Sequence, residues 1–284
     1  MSTERERDNE AQSREPARET PLANRVVTGF FVTGTDTGVG KSVIATALVR
    51  GFVAQRLRVA VMKPVASGSQ RTPEGLRNED ALALMAASNV AAPYSAVNPY
   101  CFEPPISPHI AAQEAAIDVN LEHVRREFGT LAGRADVIVV EGAGGWLAPI
   151  RLAAPQQEKA QDVAATAPSA LIEARPANAA VPSSASIQEL ALTLELPVLL
   201  VVGMRLGCIN HARLTKLAIE ASGARFAGWV ANTVDPAMAR PRENLDSLVK
   251  LLGEPPLAVV PWQVQGAPPL ALTAAAAQLL AAAR

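Results

Sequence analysis

A glycine-rich turn between a short apolar run and an apolar helical pattern carries residue types that bind phosphate. Residues 29–42 read GFFVTGTDTGVGKS and end in Gly40, Lys41 and Ser42. In a P-loop, backbone N–H groups cradle the phosphates, the lysine reaches the β- and γ-phosphate oxygens, and the hydroxyl ligates Mg²⁺. The spacing departs from the strict GxxxxGK[ST] pattern, because Thr35 stands where the first glycine belongs. The strand-then-helix context nevertheless favours a nucleoside triphosphate site over a simple turn with a solvated lysine.

Two further charged residues follow apolar runs directly. Lys63 closes one run and precedes Pro64, which suits a ligand for phosphate or a carboxylate-like oxyanion; the alternative is a surface lysine with its stem on apolar neighbours. Glu141 closes the run 137–140 and precedes a glycine-rich stretch that permits close backbone approach. A single acid at this point is typical of the Walker-B carboxylate that holds Mg²⁺ beside a P-loop hydroxyl.

An acidic pair, Glu79 and Asp80, begins a helical pattern. Acids at a helix start usually complement the helix dipole, which is the structural alternative here. Mg²⁺ prefers one or two carboxylates together with phosphates and water. Ser42, Asp80 and Glu141 could supply such a set.

Weaker signals come from two later segments. Asn232 ends an apolar run, and an asparagine amide can pair with the adenine edge, although asparagine also begins many turns. Residues 203–212 open a helix at Gly207 and Asn210, so free N–H groups could form a second anion site. Cys208 lies there with His211 as the one base near it in sequence, which is slight support for a nucleophile.

The elements that must position these residues alternate along the chain. Short, continuous apolar runs predict strands at Phe30–Thr33, Leu57–Lys63, Val137–Glu141, Val198–Gly203, Ala227–Asn232 and Leu257–Pro261. Helical patterns fall at residues 42–55, 79–89, 120–128, 209–221, 241–252 and 269–283. The alternation predicts a single-domain, doubly wound α/β fold of the P-loop NTPase type with a mainly parallel sheet. Ligands in such sheets bind at the carboxyl ends of the strands, where the polar residues cluster.

Composition narrows the class of protein. The 284 residues are 49 % hydrophobic but only 4 % aromatic, so we expect a core of Ala, Val and Leu. A net charge of −1 without a basic stripe predicts no nucleic-acid partner. The sequence has no apolar run long enough for a membrane span, and its two distant cysteines fit a reducing compartment, so we expect a cytoplasmic protein.

We predict one domain at residues 26–284, and two segments do not follow its pattern of strands and helices. Residues 1–25 are highly charged and poor in apolar groups, which predicts a disordered tail. Residues 153–186 contain twelve Ala and four Pro without helical or strand periodicity. We interpret this range as a low-complexity insertion, because the strand and helix alternation resumes after it.

Together the motifs resemble the dethiobiotin synthetase family. The matching strings include GTDTGVGKS (34–42), KPVASGS (63–69), VNPYCFEPPISPHIAA (97–112), VEGAGGW (140–146) and GWVAN (228–232). The family's P-loop carries the same additional residue before its final glycine. The resemblance implies a homodimer that uses MgATP to convert 7,8-diaminononanoate and CO₂ (or bicarbonate) to dethiobiotin. One amine forms a carbamate, ATP phosphorylates it, and the second amine closes the ring.

The resemblance also implies roles for individual residues. Lys41, Lys63 and Thr37 would act in catalysis, and Lys63, Thr37 and Ser67 would hold the carbamate and the transferring phosphate. Ser42, Asp80 and Glu141 match the metal positions. The remaining positions implied for nucleotide binding are Gly38, Val39, Gly40, Val43 and Asn232. Those implied for substrate, besides Ser67, are Gly144, Gly207, Cys208, Ile209 and Asn210, the last four from the second subunit.

The chain departs from the family pattern in several places. Some members carry Glu at the position of Gly38, and Glu189 aligns with a helix-start Asp of some members. The tail and the insertion are also additional. The alternatives are a P-loop switch ATPase of the partitioning type and another ATP-dependent amide-forming synthetase. The absence of a signature lysine early in the P-loop disfavours the first, and KPVASGS with GCINHA (207–212) disfavours the second.

Overall fold

A six-stranded parallel sheet forms the centre of the molecule. The structure is a computed structural model, and it describes residues 28–153, 184–263 and 270–283. The strand order in the sheet is β12-β11-β10-β1-β7-β2, and every neighbouring pair is parallel. The strands are β1 Thr28–Gly34, β2 Val59–Met62, β3 Val65–Ala66, β4 Gln70–Thr72, β5 Gly75–Arg77, β6 Tyr100–Cys101, β7 Val137–Glu141, β8 Pro149–Arg151, β9 Ala185–Ser186, β10 Val198–Met204, β11 Phe226–Thr233 and β12 Ala258–Val260.

Helices connect and cover the strands. They are α1 Lys41–Ala54, α2 Glu79–Ala87, α3 Tyr94–Val97, α4 Pro108–Glu114, α5 Leu121–Ala132, α6 Ile187–Thr193, α7 Cys208–Ala221, α8 Pro241–Leu252 and α9 Thr273–Ala282. Three pairs of short strands, β3-β6, β4-β5 and β8-β9, lie outside the central sheet. Within the described ranges, no helix has both the length and the apolar character that crossing a bilayer requires.

Burial on both faces explains the continuous apolar strands. Every residue of β7 and of β10 is buried, since helices cover the sheet on both sides. Phe30 of β1 stacks on Phe52 of α1 with ring centroids 5.7 Å apart, which fixes the first helix against the sheet. The P-loop between β1 and α1 is therefore held by packed core at both ends.

The strand order brings the polar strand ends together. β1 lies between β7 and β10. The strands β7 and β2 follow on one side of β1, and β10, β11 and β12 follow on the other, so the direction of winding reverses at the end of β1. Val32 pairs with Glu141, and Met62 pairs with Val140, which puts Lys63 beside Glu141 at the carboxyl edge. Sites for ligands in doubly wound sheets lie at such a switch point.

The structure confirms the predicted fold class and all six predicted strands, with shifts of one or two residues at the ends. The six predicted helices are also present, although the helix predicted at 269–283 begins only at Thr273. Sequence periodicity did not reveal α3, α4 and α6, because these helices have only four to seven residues. Of these helices, α3 and α4 lie between β2 and β7, and α6 lies between β9 and β10.

The two ends of the range 153–186, predicted as an insertion, belong to the described residues. Ala185 and Ser186 form β9, which pairs with β8, and Ser186 begins α6 as its N-cap with Glu189 completing a capping box. Glu189 therefore has a structural partner at the helix start. Residues 154–183 and the predicted tail at 1–25 lie outside the described residues.

We predict that residues 155–182 are dispensable. The N–H of Ala153 donates to Ser184 Oγ over 3.1 Å, and Arg151 pairs with Ala185, so the two ends of the segment lie side by side. A Gly/Ser link of about six residues can bridge them, since each doubling of loop length changes closure by only about 0.6 kcal/mol. Activity of the shortened chain should stay within a few-fold of the full chain. A loss of soluble, folded protein would show that the segment packs against the domain.

Candidate active site

The P-loop has the backbone shape that phosphate binding requires. Gly40, which precedes α1, has a φ of 84°, and a Cβ there would lie 2.1 Å from the amide nitrogen of Asn232. Only glycine fits this position. Lys41 is 7 % exposed as a residue, and its ammonium donates to the main-chain carbonyl of Asp36, 2.9 Å away. The free N–H groups at the start of α1 face the same region.

A buried ion pair lies beside the loop. Lys63 and Glu141 are 4 % and 0 % exposed, and Lys63 Nζ donates to Glu141 Oε1 over 2.6 Å. Ser42 Oγ donates to the same carboxylate oxygen over 2.7 Å. The lysine is thus no surface side chain, and the P-loop hydroxyl and the strand-end acid are in direct contact; that they share a Mg²⁺ ion stays a prediction.

Asp80 completes this cluster from another element. Its Oδ2 lies 3.3 Å from Lys63 Nζ, and its side chain is 43 % exposed. The N-terminus of α2 is capped by Asn78, whose Oδ1 accepts from the N–H groups of Asp80 and Ala81. Asn78 is therefore the N-cap, and the carboxylate of Asp80 lines the cleft from the first turn of α2, where it also complements the helix dipole.

Burial and neighbouring charges shift the pKa values of the cluster. Burial lowers the pKa of Lys41 to about 8, with help from Lys63 and against the opposing pull of Glu141 and Asp80. Burial also disfavours charge on Lys63, but Glu141 and Asp80 outweigh it and hold its pKa above the usual lysine value. For Asp80, burial is outweighed by Lys63 and Ser42, which keep its pKa below the usual range. Lys63 and Asp80 are accordingly charged at neutral pH.

The donor set fits a magnesium ion better than a softer metal. Glu141 Oε2 is buried and has no hydrogen-bond partner, so one oxygen of this carboxylate is left for another ligand. Within the part of the chain that the structure describes, no three His, Cys, Asp or Glu side chains are grouped to hold a metal ion. Two carboxylates and a hydroxyl match the sparse protein ligation of Mg²⁺, which relies on phosphates and water for the rest.

These residues line one cleft of about 1080 Å³. Of the residues predicted for the site, the cleft wall includes Thr37, Gly38, Gly40, Lys41, Ser42, Val43, Lys63, Ser67, Asp80, Glu141 and Gly144. A Cβ at Gly38 would meet no atom within 4 Å, and its φ is 74°, so the position that carries Glu in some family members is open here.

An apolar wall of the cleft was not predicted as part of the site. It comes from the segment before and within α4 and from the turn before β8. Its members are Pro105, Ile106, Pro108, Ile110, Ala148 and Pro149. The string EPPISPHI (103–110) could have indicated this wall in the sequence, but none of its side chains suggests chemistry by itself. Such a wall suits an aliphatic ligand.

Asn232 lies beneath the P-loop. Its side-chain amide donates to the carbonyl of Val39 over 2.9 Å, and Asn232 and Val39 are 4 % and 1 % exposed. Neither residue lines the cleft described above. In the structure this amide supports the loop backbone; an additional contact with adenine stays a prediction.

The start of α7 lies apart from the cleft of the same chain. Gly207, Cys208, Ile209 and Asn210 are absent from the cleft wall, and Cys208 is 2 % exposed. Arg205, just before this helix, pairs with Asp36 of the P-loop over 2.8 Å. An ion pair thus connects the segment before α7 to the P-loop, but the first residues of α7 do not line the cleft of the same chain.

The fold and the site define a P-loop nucleoside-triphosphate-binding protein of the doubly wound α/β class. Solved structures agree on the fold. MinD from Aquifex aeolicus, alone and in its complex with MinC, is 12 % and 14 % identical with TM-scores of 0.50 and 0.51. Each comparison covers 90 % of this chain and 98 % or 96 % of the other.

Comparisons of sequence define the family more closely. A family model described as an AAA domain matches residues 28–167 and 165–269. The ATP-dependent dethiobiotin synthetase BioD of Xanthomonas oryzae pv. oryzae is 44 % identical over 234 residues, 82 % of this chain and 91 % of the relative. The enzyme of the same name from Pseudomonas paraeruginosa is 44 % identical over 84 % of this chain and 92 % of its own length. The chain belongs to the ATP-dependent dethiobiotin synthetase family.

Proposed function

We propose that this protein is an ATP- and Mg²⁺-dependent ligase that closes 7,8-diaminononanoate and CO₂ to dethiobiotin. The observation that carries the proposal is that Lys63 and Ser42 both donate to Glu141 Oε1 in the P-loop cleft. An ordinary nucleotide hydrolase has no need of a second, strand-end lysine beside the phosphate site. A carbamate does need such a cation, because a positive charge favours the carbamate anion over free amine and CO₂.

The cleft residues divide the work. Lys41 neutralises the charge that develops on the transferred phosphoryl group, which in phosphoryl transfer matters more than covalent help. Lys63, Thr37 and Ser67 hold the carbamate in line with it. Ser42, Asp80 and Glu141 hold Mg²⁺, which supplies further charge neutralisation when bound. The apolar wall at Ile106 and Ile110 takes the aliphatic chain of the substrate and keeps the amines partly desolvated, in the neutral, nucleophilic form.

The decisive experiment is ADP release with and without the two co-substrates. We expect ADP to form at the rate of dethiobiotin production only when diaminononanoate and bicarbonate are both present, because the carbamate is the phosphoryl acceptor. ATP hydrolysis that proceeds at full rate without them would favour the partitioning-type switch ATPase. ADP formation with diaminononanoate but without dethiobiotin would favour another amide-forming synthetase.

The proposed active unit is a homodimer with shared sites. α7 exposes Leu214 and Leu217 one turn apart, at 59 % and 58 %, and Leu206 just before the helix is 92 % exposed. Such apolar exposure is typical of an interface. The N-terminus of α7 offers N–H groups for an anion, which fits the substrate carboxylate at the far end of its aliphatic chain. In a two-fold dimer the helix start of one chain would close the cleft of the other.

Mixing two inactive variants tests the shared site. Lys41→Ala removes the phosphate lysine, and Asn210→Leu disrupts the start of α7. A hybrid dimer would hold one doubly defective site and one intact site. Random mixing should therefore restore about a quarter of wild-type activity, since half the dimers are hybrid and each has one working site. A mixture that stays inactive, although hybrids are shown to form, would place a complete site in each chain.

A further inference from the structure

The hydroxyl of Tyr94 links two parts of the cleft wall. Tyr94 opens α3, and its hydroxyl accepts from the N–H of Asn78 over 2.7 Å and donates to Asn98 Oδ1 over 2.9 Å. Asn78 and Asn98 are 5 % and 3 % exposed. Because their polar groups are removed from water, neither can replace a lost partner easily.

Each asparagine is also hydrogen-bonded to a residue of the candidate site, Asn78 to Asp80 and Asn98 to Lys63. Asn78 is the N-cap of α2, and its Oδ1 accepts from Asp80 N over 3.1 Å. Asn98 Nδ2 donates to the carbonyl of Lys63 over 2.6 Å. One hydroxyl therefore lies between the helix that carries Asp80 and the backbone that carries Lys63.

The environment of Tyr94 keeps this hydroxyl protonated and fixed. Burial, together with the bond to Cys101, raises the pKa of Tyr94 well above the usual tyrosine value, so the hydroxyl stays a donor at any physiological pH. The guanidinium of Arg77 lies 4.3 Å from the centroid of the ring and packs over its face. The ring is thus held from outside the cleft while its oxygen reaches inward.

The other tyrosine of the chain makes an equivalent contact away from the site. Tyr100 OH accepts from the N–H of Asn120 over 2.9 Å, and Asn120 caps α5 with the same side-chain geometry as Asn78 caps α2. No residue of α5 is among those that line the cleft. Both hydroxyls accept from the N–H of a helix-capping asparagine, but the Tyr94 hydroxyl also donates to Asn98 Oδ1, and its capped helix carries Asp80.

We propose that Tyr94 is a positioning residue of the active site, whose hydroxyl holds the start of α2, and with it Asp80, against the Lys63 segment. The inference rests on the proposed role of Asp80 as a magnesium ligand. A carboxylate that shares a metal must be held to within a fraction of an ångström, and a neighbouring hydrogen bond is the usual means.

The test is equilibrium binding of a non-hydrolysable ATP analogue to the purified full chain, with and without Mg²⁺. Tyr94→Phe should lose about ten-fold or more of the Mg²⁺-dependent gain in affinity, the effect typical of removing a group that orients a metal ligand. Its affinity without Mg²⁺ should stay at the wild-type value, because the P-loop is untouched. Tyr100→Phe should leave both affinities unchanged, with a similar fall in Tm.

The outcomes separate the inference from the proposed function. A wild-type chain without any Mg²⁺-dependent gain overturns the proposed metal site, and the inference with it. A wild-type gain that Tyr94→Phe retains in full overturns the inference alone. If Tyr94→Phe does not fold, Asn98→Ala removes the side chain that accepts from the Tyr94 hydroxyl, and a full Mg²⁺-dependent gain in this variant overturns the inference.

Discussion

Replacing Lys41 with methionine should abolish dethiobiotin formation while leaving the fold intact. Methionine keeps most of the buried stem and removes the charge that meets the transferred phosphoryl group. Loss of one such donor raises a barrier by about 2.7–4 kcal/mol, or about 10²–10³-fold in rate, and we expect at least this effect. The measurement is steady-state dethiobiotin production. Lys250→Met, an exposed lysine on α8, is the matched control and should keep wild-type activity.

The pH dependence of nucleotide binding provides a second signature of Lys41. Its pKa of about 8 means that the ammonium loses its proton above this pH. Phosphate binding favours the charged form, so affinity for ATP should fall as pH rises through about 8 and should do so less in Lys41→Met.

The effect of Lys41 on folding stability depends on pH in the opposite direction. Because an unfolded lysine titrates near about 10.4, the unfolded chain binds more protons between these values, and the cost of burying the Lys41 charge lessens as pH rises. Equal pH profiles in wild type and variant would contradict this assignment.

The second large effect is expected for Lys63→Met. Here stability and activity should both fall, because Glu141, which is 0 % exposed, would lose its lysine partner. Removing one partner of a buried ion pair costs about 3–5 kcal/mol. The fall in Tm should be on the order of 10 °C for a chain of this size. Dethiobiotin formation should drop below detection, since no other cation in the proposed mechanism favours the carbamate.

A double variant separates the two effects. Lys63→Met with Glu141→Gln removes the unpaired charge, so most of the lost stability should return while activity stays absent. Stability that remains low in the double variant would show that the pair acts through packing instead of charge.

The pH range over which Lys63→Met lowers stability follows from the shifted pKa values of Lys63 and Asp80. Asp80, with its lowered pKa, contributes above about 3.9 and loses its contribution as pH falls through its folded-state value. Lys63, with its raised pKa, contributes below about 10.4 and loses its contribution as pH rises through its folded-state value. The difference in Tm between wild type and Lys63→Met should therefore be constant across the neutral range.

Local sequence was sufficient for the parts of the site that lie within one strand and its following turn. The run before Lys63 and the run before Glu141 each predict a buried strand with a charged residue at its carboxyl end. Parallel strands in a doubly wound sheet have their carboxyl ends at one edge, so these residues were expected to meet. Ser42 and Glu141, 99 positions apart, do contact each other.

Contacts between elements could not be predicted in the same way. Asn232 could have faced a ligand or the protein, and only the packing of β11 beneath the P-loop brings its amide to Val39. Asp80 could have been a cap, but Asn78 fills that role and leaves the carboxylate to Lys63. The apolar wall and the Tyr94 link consist of residue types that carry no functional signal individually.

The sequence by itself determined the class of fold, the phosphate-binding turn and the strand-end residues of the site, because each depends on neighbours within a few positions. The tertiary structure alone decided which strands are adjacent and which side chains are buried together. These depend on distant residues whose burial and hydrogen bonds are satisfied only after the whole sheet has formed.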